Sequence, residues 1–77
     1  MYKLFLMTLA QLRTFLAVMR HRSVSGAAAE LYVTQPAVSA SVAALERDVG
    51  VRLLVRDRRG VRPTPSGEVL AGFAAQC

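Results

Sequence analysis

The chain has one cysteine, no tryptophan, one histidine and one lysine in 77 residues. A single cysteine, at the last position, can form no disulfide framework and no thiolate metal site, so a reducing, cytoplasmic setting is expected. Acidic residues are equally few, five against ten basic ones. The chain offers no His/Asp/Ser or Cys/His set for catalysis. Nor is there a glycine-rich phosphate loop. An enzyme is therefore the least expected class, and no cofactor or metal is expected. No apolar run approaches the roughly 20 residues of a membrane-spanning helix, although 53% of the residues are hydrophobic. The opening "MYKLFLM" is too short for a signal-peptide core and has no small-residue cleavage site after it.

What is present is arginine. There are nine, and six of them lie between Arg47 and Arg62, giving a net charge of +5. A local cluster of guanidinium forks suits phosphates and guanine edges, so a polyanionic partner is one reading. A solvated basic loop is the other, and charge alone does not separate them. Length allows one domain with one modest core: a chain this short buries only about 60% of the surface it exposes when unfolded.

Hydrophobic periodicity divides the chain into short elements. Thr8 is expected to cap a first helix to about His21, with Leu9, Leu12, Phe15, Leu16 and Met19 as its apolar stripe. Ser25 is expected to cap a second, Gly26 to Tyr32, burying Ala27, Ala28 and Leu31. "VTQP" then interrupts a run of helix formers. Thr34 can cap a third helix and Pro36 can sit in its first turn, where a missing N–H is no loss. The proline therefore opens a helix that runs from Gln35 to Val49 and ends at Gly50.

That third helix has an unusual outer face. Val38, Val42, Leu45 and Val49 form the side expected to be buried. Opposite them stand Pro36, Ser39, Ala40, Ala43 and Arg47, small residues where a merely solvated helix would carry Glu, Lys or Gln. A face so trimmed fits close approach to another surface. Beyond it, "VRLLVR", "DRRG" and "VRPT" read as a strand, a tight turn and a short edge strand limited by Pro63. Thr64 and Pro65 repeat the cap-then-proline signal for a fourth helix. Its stripe of Val69, Leu70 and Phe73, reaching toward Cys77, is more than one small core can cover.

Three helices and a basic hairpin make a mainly α fold, the winged helix-turn-helix. Several segments, in order, resemble the N-terminal DNA-binding domain of LysR-type transcriptional regulators: "LAQLRTFLAV", "SVSGAAAELYVTQPAVSASVAALERDVGVRLLVR" and "RRGVRPTPSG". The matched positions are Ala27 and Ala28; Thr34, Gln35, Pro36 and Ala37; Ser39; Leu45, Glu46 and Gly50; Arg56; and Thr64 with Gly67. The resemblance implies a bacterial regulator, cytoplasmic and acting at the nucleoid, that binds operator DNA as a dimer or tetramer. Its third helix would enter the major groove and its wing would reach the backbone or minor groove. It divides the chain into residues 1–7 as an extension, 8–63 as the DNA-binding domain and 64–77 as the start of a linker helix. Family members continue into a larger effector-binding domain, so no small-molecule effector is expected for these residues, and self-association through the fourth helix should be weak. The chain departs from the pattern at Ala40 and Ser41, where the family often has arginine and then a long polar residue. It departs again at Leu54, often phenylalanine, and at Pro63, commonly leucine.

The expected DNA contacts each have a plainer reading. Gln35 is placed to pair with an adenine edge, or else to solvate a helix end. Thr34 and Ser25 are caps that can also reach phosphate. Pro36, Ala37, Ser39 and Ala40 can make apolar or hydroxyl contacts to bases. Arg56, Arg58, Arg59 and Arg62 are the wing contacts, with Arg56 alternatively held by Asp57 or Glu30. Arg47 can meet phosphate or a neighbouring acid. Val69, Leu70 and Phe73 are the expected dimerisation residues. His21 is expected on the surface, in the first inter-helix connection, with no cysteine or carboxylate cluster beside it, and Tyr32 and Phe73 are expected to pack. The rival classes are a winged-helix protein-interaction or dimerisation module and a basic amphipathic membrane peptide. The arginine-rich wing opposes the first, and the two cap-proline signals oppose the second.

Overall fold

A computed structural model describes the backbone of residues 2–75 and the side chains of residues 9–73. The elements run α1 (Tyr2–His21), α2 (Val24–Leu31), α3 (Gln35–Val49), β1 (Leu54–Asp57), β2 (Gly60–Pro63) and α4 (Pro65–Ala75). Cys77 lies outside the described residues.

Helix α1 begins well before Thr8, so that threonine is inside the helix and does not cap it. Its buried side is centred on Phe15 and Val18, both fully buried, with Leu12, Leu16 and Met19 at the flanks and Leu9 exposed. Gln11, one turn before Phe15, is buried on the same side, a polar residue where the apolar pattern broke off.

The cap of α2 is Ser23 and not Ser25. Ser23 is extended (φ −161°, ψ 133°), and its Oγ accepts from the Gly26 N–H at 3.0 Å. Ser25 is two residues inside, its Oγ 3.4 Å from that of Ser23. Both serines are chemically able to cap, and the chain's course out of α1 through Arg22 (φ 53°) decides between them. Tyr32, expected to pack, closes α2 in the left-handed region (φ 57°) and is 94% exposed. Ending the helix there turns its ring away from the core.

Helix α3 opens as its sequence indicates. The Thr34 hydroxyl accepts from the Ala37 N–H at 3.2 Å, Pro36 stands in the first turn, and Gly50 ends the helix at φ 82°. Val38, Val42 and Leu45 are buried between α1 and α2. Val49, the fourth of that stripe, is exposed, because the core ends one turn earlier.

Two carboxylate and hydroxyl ties set the hairpin. Glu46 Oε2 accepts from the N–H groups of Leu53 (2.7 Å) and Leu54 (3.2 Å), with Arg52 Nε 3.5 Å away. Thr64 Oγ1 donates to the Arg52 carbonyl at 2.7 Å and accepts from Gly67 N–H at 3.0 Å, so one side chain caps α4 and anchors it. The strands pair antiparallel, from Leu54 opposite Pro63 to Asp57 opposite Gly60. Leu54 is buried in the place often filled by phenylalanine, and Pro63 falls at the last rung, where its missing donor costs little.

Candidate nucleic-acid interface

Helices α2 and α3 form a helix-turn-helix whose turn is Tyr32, Val33 and Thr34. The first turn of α3 stands clear of the core: Gln35, Pro36 and Ala37 are exposed. One turn later Ser39 is half-buried, Ala40 is exposed, and Arg47 is exposed in the last turn. Residues four apart share a helix stripe, so Gln35 and Ser39 lie one above the other.

The hairpin flanks this face. Alternation along β1 and β2 puts Leu54, Arg56, Val61 and Pro63 on the inner side and Val55, Asp57, Gly60 and Arg62 on the outer. Leu54 and Val61 are accordingly buried. Arg56 follows them inward, and its Nη2 donates to Ser39 Oγ at 2.9 Å. It is held by neither Asp57 nor Glu30, the partners its neighbourhood in sequence suggests. Asp57 pairs with Arg62 instead, Nη2 to Oδ2 at 2.6 Å, diagonally across the outer face. Arg62 is thus less free for a phosphate than a solvated wing arginine would be.

Arg58 and Arg59 occupy the two turn positions, and both are exposed. No salt bridge joins either guanidinium to another described residue. Asp57 Oδ1 accepts from Arg59 N–H at 2.8 Å, fixing the turn and aiming the two arginines outward. Gly60 follows at φ 116°, and a Cβ there would stand 3.1 Å from the Arg22 carbonyl oxygen. The turn therefore rests on the connection between α1 and α2. A concavity between them is lined by Arg22, Ser23, Ser25, Gln35 and Arg56. Ser25, misplaced as a cap, is exposed at the rim of this hollow.

Arg22, absent from the expected contacts, lines the same hollow as Ser25, Gln35 and Arg56, and a basic residue between two helices was the available signal. His21 is exposed, as expected, at the end of α1. Its Nε2 is 2.8 Å from Glu30 Oε1, and Glu30 is also paired with Arg20. These hydrogen bonds, first from Arg20 and then from His21, hold the Glu30 carboxyl below its ordinary pKa.

Helix α4 presents Val69 and Phe73, each 71% exposed, beside a half-buried Leu70. Phe73 does not pack into the core as its apolar character suggests. With Val49, Val51 and Leu53 these residues line an open apolar groove. Among the described residues no cluster of three or more His, Cys, Asp or Glu side chains is placed to hold a metal ion. No helix there is long and apolar enough to cross a membrane.

A helix-turn-helix with a trimmed recognition face, flanked by an arginine-tipped hairpin, defines a winged helix-turn-helix of the DNA-binding type. Residues 9–68 match the family of bacterial regulatory helix-turn-helix proteins of the lysR family. The chain belongs to that family and is its DNA-binding transcription-regulator domain. It is 49% identical over 69 residues to the HTH-type transcriptional regulator AbaB of Streptomyces antibioticus, covering 90% of this chain and 23% of that protein. Among solved structures it resembles the BenM DNA-binding domain in complex with catB site 1 DNA. That match has a TM-score of 0.84 and 37% identity, over 88% of this chain and 76% of that one. The CbnR DNA-binding domain in its DNA complex matches with a TM-score of 0.82 and 37% identity, over 87% and 77%. The chain spans about a fifth of the length of curated relatives such as AbaB.

Proposed function

We propose that this domain binds duplex operator DNA with α3 in the major groove and the hairpin tip against the phosphate backbone or minor groove. The observation that carries this reading is the placement of exposed Arg58 and Arg59, joined by no salt bridge to another described residue, at the tip of a hairpin beside the small-residue face of α3. Gln35, Pro36, Ala37, Ser39 and Ala40 are the base-facing set, with Thr34, Ser25, Arg47 and Arg22 toward phosphates. Arg56 works on α3, and Arg62 is restrained by Asp57. The two solved relatives above are DNA complexes of the same fold, which supports the assignment. The domain would act in the cytoplasm, without catalysis and without a cofactor.

The α4 stripe, with Val69 and Phe73 exposed beside a half-buried Leu70, supports pairing with a second copy of the chain. We place the boundary between the DNA-binding and linker parts at Thr64, where the hydroxyl ties both together.

Salt dependence tests the DNA reading. Each phosphate neutralised lowers the slope of log K against log salt by about 0.9. Binding to duplex DNA should weaken steeply with salt, and replacing both Arg58 and Arg59 by alanine should flatten the slope by about 1–2. A flat response in the wild-type chain, or equal affinity for anionic vesicles, would exclude it.

A further inference from the structure

A serine on a recognition helix is ordinarily ambiguous. Its hydroxyl has one proton to give and two lone pairs to receive with, so it can meet either a donor or an acceptor on a base edge. Ser39 is in a different position. Arg56 Nη2, a donor that cannot deprotonate, stands 2.9 Å from its oxygen. One lone pair is thereby engaged by a cation, and the O–H proton remains to be given away. The guanidinium beside it also repels a second donor and attracts an acceptor. The contact is built into the fold: strand alternation turns Arg56 to the inner face with buried Leu54 and Val61. Ser39 stands one helical turn beyond Gln35, half-buried against the same side of the hairpin. Its neighbour Ala40 offers no hydrogen bond of its own.

We propose that Arg56 and Ser39 act as a single recognition unit, in which Arg56 is a positioning residue that fixes the Ser39 hydroxyl as a donor toward a base-edge acceptor. The acceptors in the major groove are guanine N7 and O6, adenine N7 and thymine O4, and the edge rejected is the cytosine N4 amino group. The unit rests on the DNA-binding reading above and adds to it a direction of preference at one base position. It also gives Arg56 a role different from that of Arg58 and Arg59. Those two meet phosphates and carry no sequence information, whereas Arg56 acts on sequence through Ser39.

The experiment starts from the duplex that the wild-type 77-residue chain selects out of a randomised pool. Every base of that duplex is then varied singly, and binding is measured for wild type, S39A, S39T, R56A, R56M and the S39A/R56A double variant. Circular dichroism confirms helix content in each. One position should reject cytosine by about three- to tenfold in the wild type, the range of a single net hydrogen bond. S39A should flatten that position, and R56A and R56M should flatten the same one while leaving the remaining positions as they were. The double variant should be no flatter than either single, and S39T, which keeps the hydroxyl, should retain the preference. If the wild type is selective but R56A and R56M leave the cytosine rejection intact, or if the two residues affect different positions, the unit is overturned and the DNA-binding reading stands. A wild-type chain that selects no duplex overturns both.

Discussion

At Gly67 there is no room for a side chain. A Cβ built there would lie 2.1 Å from the backbone oxygen of Leu53, and backbone cannot swing aside as a side-chain tip can. Gly67→Ala should therefore cost about 3 kcal/mol, at the upper end for overpacking. A drop in Tm of more than about 10 °C would register it. Gln35 is a residue of the opposite kind, exposed and structurally replaceable. Gln35→Ala should leave stability and non-specific binding nearly unchanged while reducing discrimination between operator and random DNA by about 1–3 kcal/mol. Titrations on both duplexes check this, and an equal loss on both would remove Gln35 from the base-reading set. Gly67 and Thr64 were visible in the sequence as a spaced pair. That they were spaced to bring α4 onto the Leu53 carbonyl was not, since the contact crosses from one element to another.

Between elements, the joints are carried by a few polar side chains. Glu46 on α3 receives the N–H groups of two buried residues, Leu53 and Leu54, at the entrance to β1. Glu46→Ala would leave both donors without it, and a loss of about 2–3 kcal/mol is expected, with Glu46→Gln intermediate. Urea midpoints measure both. The joint between α1 and α2 is electrostatic and solvated: Arg20 and His21 on one side, Glu30 on the other. Because the Glu30 pKa is depressed in the folded chain, its contribution is present above the ordinary carboxylate range and is lost as pH falls through the lower, folded value. The group is exposed, so the effect is small and screened by salt. The difference in urea midpoint between wild type and Glu30→Gln should shrink as pH falls from about 6 toward 3, and should be smaller in high salt at any pH.

For the molecule as a whole, the hollow beside the hairpin and the apolar groove along α4 share no lining residue. The α3 face and the arginine-tipped hairpin lie together, while Val49, Val51, Val69 and Phe73 gather in a groove along α4. Such an arrangement fits a domain that meets a polyanion with one surface and its own kind with another. Two half-sites bound by linked domains gain from effective concentration, so pairing should raise operator affinity. Sedimentation at micromolar concentration should show a concentration-dependent monomer–dimer equilibrium, and Val69→Asp should shift it to monomer. A tight dimer that survives Val69→Asp would assign the pairing to a different surface.

The sequence by itself determined the element order, the proline-opened third helix, the buried trio Val38, Val42 and Leu45, and the family. All of these are local signals: caps, periods and spaced motifs act within a few residues along the chain. Only the tertiary structure decided which of two serines caps α2, that Val49 and Tyr32 stay outside the core, and that Arg62 is tied to Asp57 while Arg56 reaches Ser39. Each of those outcomes depends on where one element ends against another, or on which side of a paired strand a long side chain leaves. An arginine reads the same in sequence whether it meets water, a carboxylate or a hydroxyl, and its reach lets neighbours 17 residues away compete for it.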